Sequence, residues 1–177
     1  MKHRFAFAFI IALFACASVF AQQAPRHEEP QHEERSPHAN GGHVPTPPPP
    51  HAPREVEKGP DGRVIEHPHV NNDHWYGHAA VDDRRFHLDH PFPHGHFQRF
   101  GPTYRYNVVR VDVHAHRFWL PGGFFFEIAA WDWAEAASWC WNCGSDFVVY
   151  EDPDHPGWYL VYDTQTGVYV HAQYLGS

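Results

Sequence analysis

Basic clusters and catalytic motifs are both missing from this sequence of 177 residues. Lys and Arg number 13 against 21 Asp and Glu, which gives a formal net charge of −8 with histidine neutral. Binding to a nucleic-acid backbone needs a concentrated basic face, so a nucleic-acid partner is excluded. The motifs G-x-S-x-G and H-E-x-x-H and a phosphate-binding glycine loop are also absent. We therefore expect a protein that is not an enzyme.

Long apolar stretches are confined to the start of the chain. Two basic residues precede an apolar run over 5–20, and the run ends at Ala21, a pattern typical of a secretory signal peptide over 1–21. The run is too short for a comfortable transmembrane helix, which takes roughly 20 apolar residues. Lipid attachment at Cys16 is the alternative form of processing. We predict export to the bacterial periplasm or the cell exterior, with no transmembrane segment in the mature chain and with disulfides allowed.

Composition divides the rest of the chain near residue 70. Residues 22–70 are rich in Pro, His, Glu and Arg and nearly free of large apolar side chains, so they cannot bury enough surface to offset the entropy of ordering. We predict a disordered His/Pro/Glu-rich arm over 22–70. Residues 71–177 hold all seven tryptophans and are long enough for one small hydrophobic core. We predict one β-rich globular domain over 71–177.

Strand-like runs alternate with turn residues in this domain. Runs at 147–151, 158–163 and 168–175 are separated by "DPDHPG" and "TQTG", which predicts a three-stranded antiparallel meander. A hairpin is predicted around Pro121-Gly122-Gly123. The fold class is therefore mainly β: a small antiparallel sheet or open barrel, with the C-terminal meander and one short helix.

Two further segments show local detail. A strand predicted over 104–116 has apolar residues on even positions up to Val108 and on odd positions from Val109, so a bulge or sharp twist is expected there. The short helix is predicted to follow Asp132, which can cap it, with Glu135 three residues later and alanines that favour a helix.

Histidine is the unusual residue, with 18 copies. On the strand predicted over 104–116, Asp112, His114 and His116 share one face, because side chains at i and i+2 point the same way, about 6.6 Å apart. We expect His114 and His116 to hold one ion, with the remaining ligands from the loop over 86–97. Imidazole with carboxylate suits zinc, copper or nickel. The eight candidate ligands are His87, Asp89, His90, His94, His96, Asp112, His114 and His116.

The alternative is that these histidines only face solvent. The predicted arm is equally rich in histidine although no fixed site can exist in it, and short histidine spacings often arise without metal binding. Loose binding of metal by the arm at several sites is therefore a second interpretation. The arm histidines include His27, His32, His38, His43 and His51.

Two cysteines and two tryptophans also allow more than one interpretation. Cys140 and Cys143 in "CWNC" can form a structural disulfide, ligate a metal or act as a thiol redox pair. A redox pair normally lies at a helix N-terminus, whereas these cysteines follow the predicted helix. Trp131 and Trp133 can belong to the core or form an aromatic surface for a glycan or protein.

Three segments, "FHLDHPFPHGHF", "GGFFFEIAAWDW" and "VVYEDPDHPGWYLVYDTQTGVYVHAQYLG", resemble segments of small exported bacterial proteins of unassigned function. The likeness covers about residues 86–177 and implies an exported, bacterial origin, but no catalytic residue. We expect an exported protein that binds a divalent transition metal through histidine. The alternatives are a cell-envelope module that binds glycan or protein, and a thiol–disulfide redox protein that uses Cys140 and Cys143.

Overall fold

The computed structural model of the chain describes residues 39–50, 58, 60–64, 67–144 and 146–177. The predicted signal peptide over 1–21 lies outside the described residues, and so do His27, His32, His38 and His51 of the predicted arm. Within the described part of the chain, no helix is long and apolar enough to cross a membrane.

Eight short strands and one four-residue helix are present among the described residues. All strand pairs run antiparallel, so the predicted mainly β class with one short helix is confirmed. The strands are β1 His69–Asn71, β2 His74–Tyr76, β3 Arg110–Asp112, β4 Arg117–Trp119, β5 Phe125–Ile128, β6 Phe147–Glu151, β7 Tyr159–Asp163 and β8 Val168–Gly176. The helix α1 is Trp133–Ala136, and 3-10 turns span Ala39–Gly42 and Arg84–Phe86.

The longest strand, β8, is the centre of the sheet. One of its edges pairs with β7 over 168–172, while the other pairs with β1 at Val168 and with β5 over 172–176. The sheet continues from β5 to β4 and β3, from β1 to β2, and from β7 to β6. Tyr106 pairs with Phe147, so the chain ahead of β3 lies along the outer edge of β6.

The predicted C-terminal meander is confirmed, and its strands are buried on both faces. Successive side chains of a strand point to opposite faces, so β6, β7 and β8 contribute to two apolar clusters. The main core contains Phe147, Val149, Tyr159, Val161, Val170 and Ala172, with Phe118 and Phe126 of the neighbouring strands. The second face holds Val148, Tyr150, Leu160, Tyr162 and Tyr169, and it packs with Val70, Trp75 and Val44.

Residues that precede 71, the predicted first residue of the domain, contribute to this second face. Val44 is buried, the Tyr150 hydroxyl donates to the Pro45 carbonyl at 2.5 Å, and Trp75 Nε1 donates to the Thr46 carbonyl at 3.2 Å. The packed part of the chain therefore includes residues from the 22–70 stretch. Disorder elsewhere in that stretch stays a prediction.

The strand predicted over 104–116 is shorter than expected. Only Arg110–Asp112 pairs with β4, and residues 113–116 form the turn between these two strands. The chain pairs with β6 at Tyr106 and with β4 from Arg110 onward, so its neighbour changes near Val108. Val108 is buried, whereas Val109 and Val113 are exposed, so the apolar residues on odd positions do not form a second buried face. The bulge or sharp twist stays a prediction.

The helix α1 begins where predicted, but the Asp132 side chain does not cap it. The carboxylate accepts instead from the His171 backbone N–H at 2.8 Å and from His171 Nδ1 at 2.6 Å. The expected cap is therefore wrong: Asp132 has helical dihedral angles (φ −98°, ψ −5°) and not the extended conformation of a capping residue, and its carboxylate contacts β8. This contact draws α1 toward the central strand.

Candidate metal centre

Four buried side chains with metal-ligand chemistry meet beside β8: His78, Asp152, His155 and His171. One potential ligand atom from each lies within 4.8 Å of the other three. None of these side chains is more than 2% exposed. The group could hold a metal ion.

Three separate segments supply the group. His171 belongs to β8, His78 follows β2, and Asp152 and His155 lie in the turn between β6 and β7. Asp152 Oδ1 accepts the backbone N–H groups of Asp154 and His155 at 2.9 and 3.3 Å, a local turn contact typical of aspartate. The turn expected for "DPDHPG" is therefore present, and it leaves the second carboxylate oxygen for the histidines.

Asp152 Oδ2 is the common neighbour of all three histidine rings. It lies 2.7 Å from His155 Nδ1, 3.6 Å from His78 Nε2 and 3.7 Å from His171 Nε2. Three imidazole nitrogens and one carboxylate oxygen thus point into the same small volume.

Outer acceptors orient two of the rings. His171 Nδ1 faces Asp132 Oδ2 at 2.6 Å, and His78 Nδ1 faces the Ala79 carbonyl at 2.8 Å. In a neutral imidazole the nitrogen next to an acceptor carries the hydrogen, and the other nitrogen keeps a lone pair. The lone pairs of His78 Nε2 and His171 Nε2 therefore face Asp152, as in sites where an outer oxygen fixes the tautomer of a histidine ligand.

His155 differs because both of its ring nitrogens lie near acceptors. Nδ1 faces Asp152 Oδ2 at 2.7 Å, and Nε2 faces the Ala80 carbonyl at 3.2 Å. The ring can donate from both nitrogens, or it can give up the contact with Asp152 and offer a lone pair to an ion.

Negative charge is concentrated at this centre. Asp132, Asp152 and Asp154 are all buried. Burial alone raises the pKa of Asp152, but when the histidines are protonated their hydrogen bonds and charges outweigh burial and hold the pKa below its usual value. Buried carboxylates are costly unless positive charge compensates them. Either a metal ion or protons on the histidines can supply that charge.

One ring nitrogen at the centre lacks a hydrogen bond. His171 Nε2 is fully buried and has no hydrogen-bond partner among the described residues. Leaving a buried polar atom unpaired costs about 1–3 kcal/mol. A lone pair in this position could bind a metal ion.

Aromatic rings enclose the centre, and two clefts reach it. Phe86 stacks on His155 with ring centroids 3.8 Å apart and lies 4.7 Å from His171. One cleft, of about 490 Å³, is lined by Asp154, His155 and Phe86. The other, of about 400 Å³, has a lining that includes the buried His78, His171, Asp132 and Phe86 and the more exposed Arg85 and Trp131.

The predicted ligands on β3 do not share a strand face. β3 ends at Asp112, and the Asp112 carboxylate accepts the backbone N–H groups of His114 and Ala115, both at 3.0 Å. His116 lies in the same turn and stacks on Trp133, with ring centroids 4.4 Å apart. The i, i+2 spacing of a strand therefore does not apply to these histidines.

The predicted ligands in the 86–97 loop lie mainly at the surface. His87, Asp89, His90 and His94 are exposed, and His87 Nε2 is 3.7 Å from Asp89 Oδ1. His96 contacts the Tyr159 hydroxyl at 3.3 Å and Glu151 at 3.9 Å. None of the eight predicted ligands belongs to the buried group, and metal binding by them stays a prediction.

The predicted disulfide is present: Cys140 and Cys143 are bonded, with their Cα atoms 5.4 Å apart. The tryptophans proposed as an aromatic surface both have ring neighbours. Trp131 is 37% exposed, but the Arg85 guanidinium lies 5.4 Å from its ring centroid, and the ring of Trp158 also lies 5.4 Å away. Trp133 is partly buried. Binding of a glycan or protein by these rings stays a prediction.

Sequence reasoning did not select any of the three clustered histidines. His171 lies two residues after Tyr169 and therefore on the same face of a strand whose sequence predicts burial, and a buried polar side chain needs a partner. This position on a buried strand face is the signal by which the sequence indicates His171. His155 and His78 carried none, because each stands alone in a turn or after a short strand and meets the others only through the fold.

Fold and centre together define a mainly β protein with a buried histidine–aspartate cluster. Comparison of the chain with protein-family models, with curated proteins and with solved structures gives no match. Its function is therefore argued from the geometry of the cluster.

Proposed function

We propose that this protein binds one divalent transition metal ion at the buried centre formed by His78, Asp152, His155 and His171. The observation that carries the proposal is the convergence of three imidazole rings on one oxygen of a buried carboxylate. The His171 nitrogen that faces this oxygen has no other partner among the described residues.

The donor chemistry favours a transition metal. Imidazole nitrogen with carboxylate oxygen is the donor set of zinc, copper and nickel sites, whereas calcium and magnesium take mainly oxygen. The distances of 3.6 and 3.7 Å from Asp152 Oδ2 to His78 Nε2 and His171 Nε2 are close to the separation of ligands around a tetrahedral ion. That separation is about 3.3 Å for bonds of about 2.0–2.1 Å.

In the competing account, the histidines of the centre are protonated and no metal ion is bound. Protonated histidines would balance the three buried carboxylates without any ion. The two accounts predict different metal affinities. A centre that is neutralised by protons should bind Zn²⁺, Cu²⁺ or Ni²⁺ no more tightly than the exposed histidines do.

The test is metal content after removal of loosely bound ions. The untagged full chain is stripped with a chelator, loaded with Zn²⁺, Cu²⁺ or Ni²⁺ in turn, and dialysed against citrate, which competes with weak surface sites. We expect one ion per chain and sub-micromolar affinity by isothermal titration. His171→Ala should lose the ion, and the matched control His94→Ala, which changes an exposed histidine, should keep it.

A second variant tests the site independently, because loss of the ion from a misfolded His171→Ala would not be informative. His78→Gln keeps a polar side chain in place and should also lose the ion, while circular dichroism shows whether each variant is folded. Absence of a retained ion in the wild-type chain, or retention in both folded variants, would overturn the proposal.

We also infer that the protein is exported. The disulfide between Cys140 and Cys143 supports this inference, because such bonds persist in oxidising compartments, and so does the predicted signal peptide over 1–21. Mass spectrometry of the chain expressed in a bacterium should show a periplasmic or secreted product that begins at Gln22. An unprocessed chain that stays in the cytoplasm would contradict the inference.

A further inference from the structure

We propose that the Cys140–Cys143 disulfide is redox-active and accepts two electrons by exchange with a dithiol of a partner protein. This inference is independent of the proposed metal binding, because neither cysteine belongs to the buried histidine–aspartate group. It gives the two cysteines an activity beyond the small contribution that a short disulfide makes to stability.

The disulfide lies in a turn at the surface of the protein. Cys140 and Cys143 are exposed, and so are Asn142 between them and Gly144 after them. The Cys143 backbone N–H donates to the Cys140 carbonyl at 3.2 Å, which closes the turn around the bond. Exchange requires a thiolate to approach one sulfur of a disulfide, and exposed disulfides are the ones that take part in it most readily. A partner can therefore approach this turn while the core stays folded.

Two buried tryptophans hold the turn independently of the disulfide. Trp139 and Trp141, on either side of Cys140, both belong to the main core. Trp141 Nε1 donates to the Ala136 carbonyl at 2.9 Å, and the Trp141 ring stacks on Phe147 with centroids 5.0 Å apart. These contacts involve neither sulfur, so we expect them to remain when the bond is reduced. The two thiols then stay close together, and the pair can cycle between two folded states.

The small ring closed by the disulfide also favours reduction. The two cysteines are three positions apart in the sequence, so their bond removes little entropy from the unfolded chain. By linkage, a disulfide that stabilises the fold only slightly is protected only slightly by the fold against reduction. Structural disulfides of exported proteins typically resist reduction by glutathione, and this bond lacks the long loop that would add to such resistance.

The place of the cysteines in the chain suits an electron acceptor. The helix α1 precedes both of them, so its N-terminus cannot stabilise a thiolate on either one, as helix N-termini do in thiol oxidoreductases. In the oxidised state neither sulfur is a nucleophile. The attacking thiolate of the first step is therefore supplied by the partner.

The exchange takes place in two steps. A thiolate of the partner attacks one sulfur of the disulfide, the Sγ–Sγ bond breaks, and the released cysteine thiolate takes up a proton from water. The second thiol of the partner then loses its proton and attacks the mixed disulfide, which releases the other cysteine as a thiol. The partner ends with a disulfide and the chain with two thiols, so two electrons have moved from the partner to the cysteine pair.

The first experiment compares the folded and the unfolded chain. It uses the full chain with Cys16→Ser, so that Cys140 and Cys143 are its only cysteines, and a chelator keeps metal ions away from the thiols. Dithiothreitol is the dithiol probe, and alkylation with mass spectrometry counts the thiols over time. Because the bond lies in an exposed turn, we expect reduction in native buffer to be within about tenfold of the rate in urea. Circular dichroism should stay unchanged on reduction, and oxidised glutathione should restore the disulfide.

Single variants test whether a partner reaches each sulfur. Cys143→Ser leaves Cys140 as a lone thiol, which should form a mixed disulfide with oxidised glutathione, and Cys140→Ser should do the same at Cys143. The matched control is Ser138→Cys in a chain that lacks both cysteines, because Ser138 is an exposed neighbour in the same segment. The rates at the two native positions should be within about tenfold of the rate at this control position.

Three results would overturn the proposal. Reduction by dithiothreitol only after unfolding in urea would identify a protected structural bond. Loss of the folded circular-dichroism spectrum on reduction would show that the pair does not cycle between two folded states. Absence of mixed disulfides in both folded single variants would show that a partner cannot reach the sulfurs. None of these results bears on the metal centre, and a chain that exchanges its disulfide but retains no metal ion would contradict the proposed function alone.

Discussion

Two aspartate–histidine pairs illustrate what separates a site from a histidine-rich surface. In the 86–97 loop, Asp89 and His87 approach to 3.7 Å with 91% and 82% of their side chains exposed. In the turn after β6, Asp152 and His155 approach to 2.7 Å with 0% and 1% exposed. The residue types and the short sequence spacing are alike. Burial and the approach of two more histidines from other segments make the second pair a candidate metal centre.

Removal of the aspartate from each pair is the sharpest test of whether the two pairs differ in metal binding. Asp152→Ala deletes the carboxylate that all three histidines face, so we expect metal affinity to fall about 1,000-fold, which corresponds to about 4 kcal/mol. Asp89→Ala should leave affinity unchanged, because water and salt already screen its exposed contact. Isothermal titration with Zn²⁺ measures both.

Equal losses in the two variants would show that the exposed loop takes part in metal binding. Asp152→Ala also removes a turn contact, so its folding is checked by circular dichroism. Asp152→Asn keeps the turn-forming acceptor and weakens only the charge, and it should still lose most of the affinity.

The second comparison sets Phe86 against Phe92, since each ring packs on a histidine. Phe86 is buried and stacks on His155, whereas Phe92 is partly buried and meets His96 edge-on at 4.8 Å. Phe86→Ala should lower the free energy of unfolding by about 3 kcal/mol, because it leaves a cavity beside the centre. Phe92→Ala should lower it less. Urea denaturation measures both, and a larger loss for Phe92→Ala would mean that the loop, not the centre, anchors this side of the fold.

Local patterns predicted the strands better than they predicted the centre. The runs at 147–151, 158–163 and 168–175 were visible because β-branched and aromatic residues between turn residues are a local signal. The centre was not visible, because His78, His155 and His171 meet only after the β1–β2 hairpin and the meander have packed. A search of the sequence for a high density of histidines selects residues 86–97, where the histidines are close in the chain but exposed in the fold.

Asp132 shows the same limit at a single residue. Its position ahead of α1 was predicted from a local capping pattern, yet its carboxylate binds His171 in β8. The sequence near the helix contains no sign of that partner. Local rules identified the residue correctly and its role wrongly, because the backbone conformation of Asp132 is helical and its carboxylate contacts a tertiary partner.

A third comparison sets Asp132, which lies beside the buried centre, against Asp112, which lies at the end of β3. Both carboxylates accept N–H groups. Asp132→Asn weakens the acceptor that orients His171, so metal affinity should fall roughly 10–100-fold. Asp112→Asn changes an acceptor of two turn N–H groups and should leave affinity unchanged. A Co²⁺ spectrum of Asp132→Asn should also differ from wild type, which loss of stability alone would not produce. An unaltered spectrum and affinity would limit Asp132 to holding α1 against β8.

The smallest effect is expected from the disulfide, whose two cysteines are a further potential ligand set and contrast with the buried centre. Cys140 and Cys143 close a ring of only a few residues, so the chain-entropy model predicts that reduction lowers the free energy of unfolding by about 2 kcal/mol at most. Metal content measured after reduction with a phosphine, which binds zinc weakly, should stay at one ion per chain, because neither cysteine belongs to the buried group. A gain of a second ion on reduction would identify the two thiolates as an independent metal site. Loss of the first ion would instead couple the disulfide to the histidine centre and extend the centre beyond the residues that face Asp152.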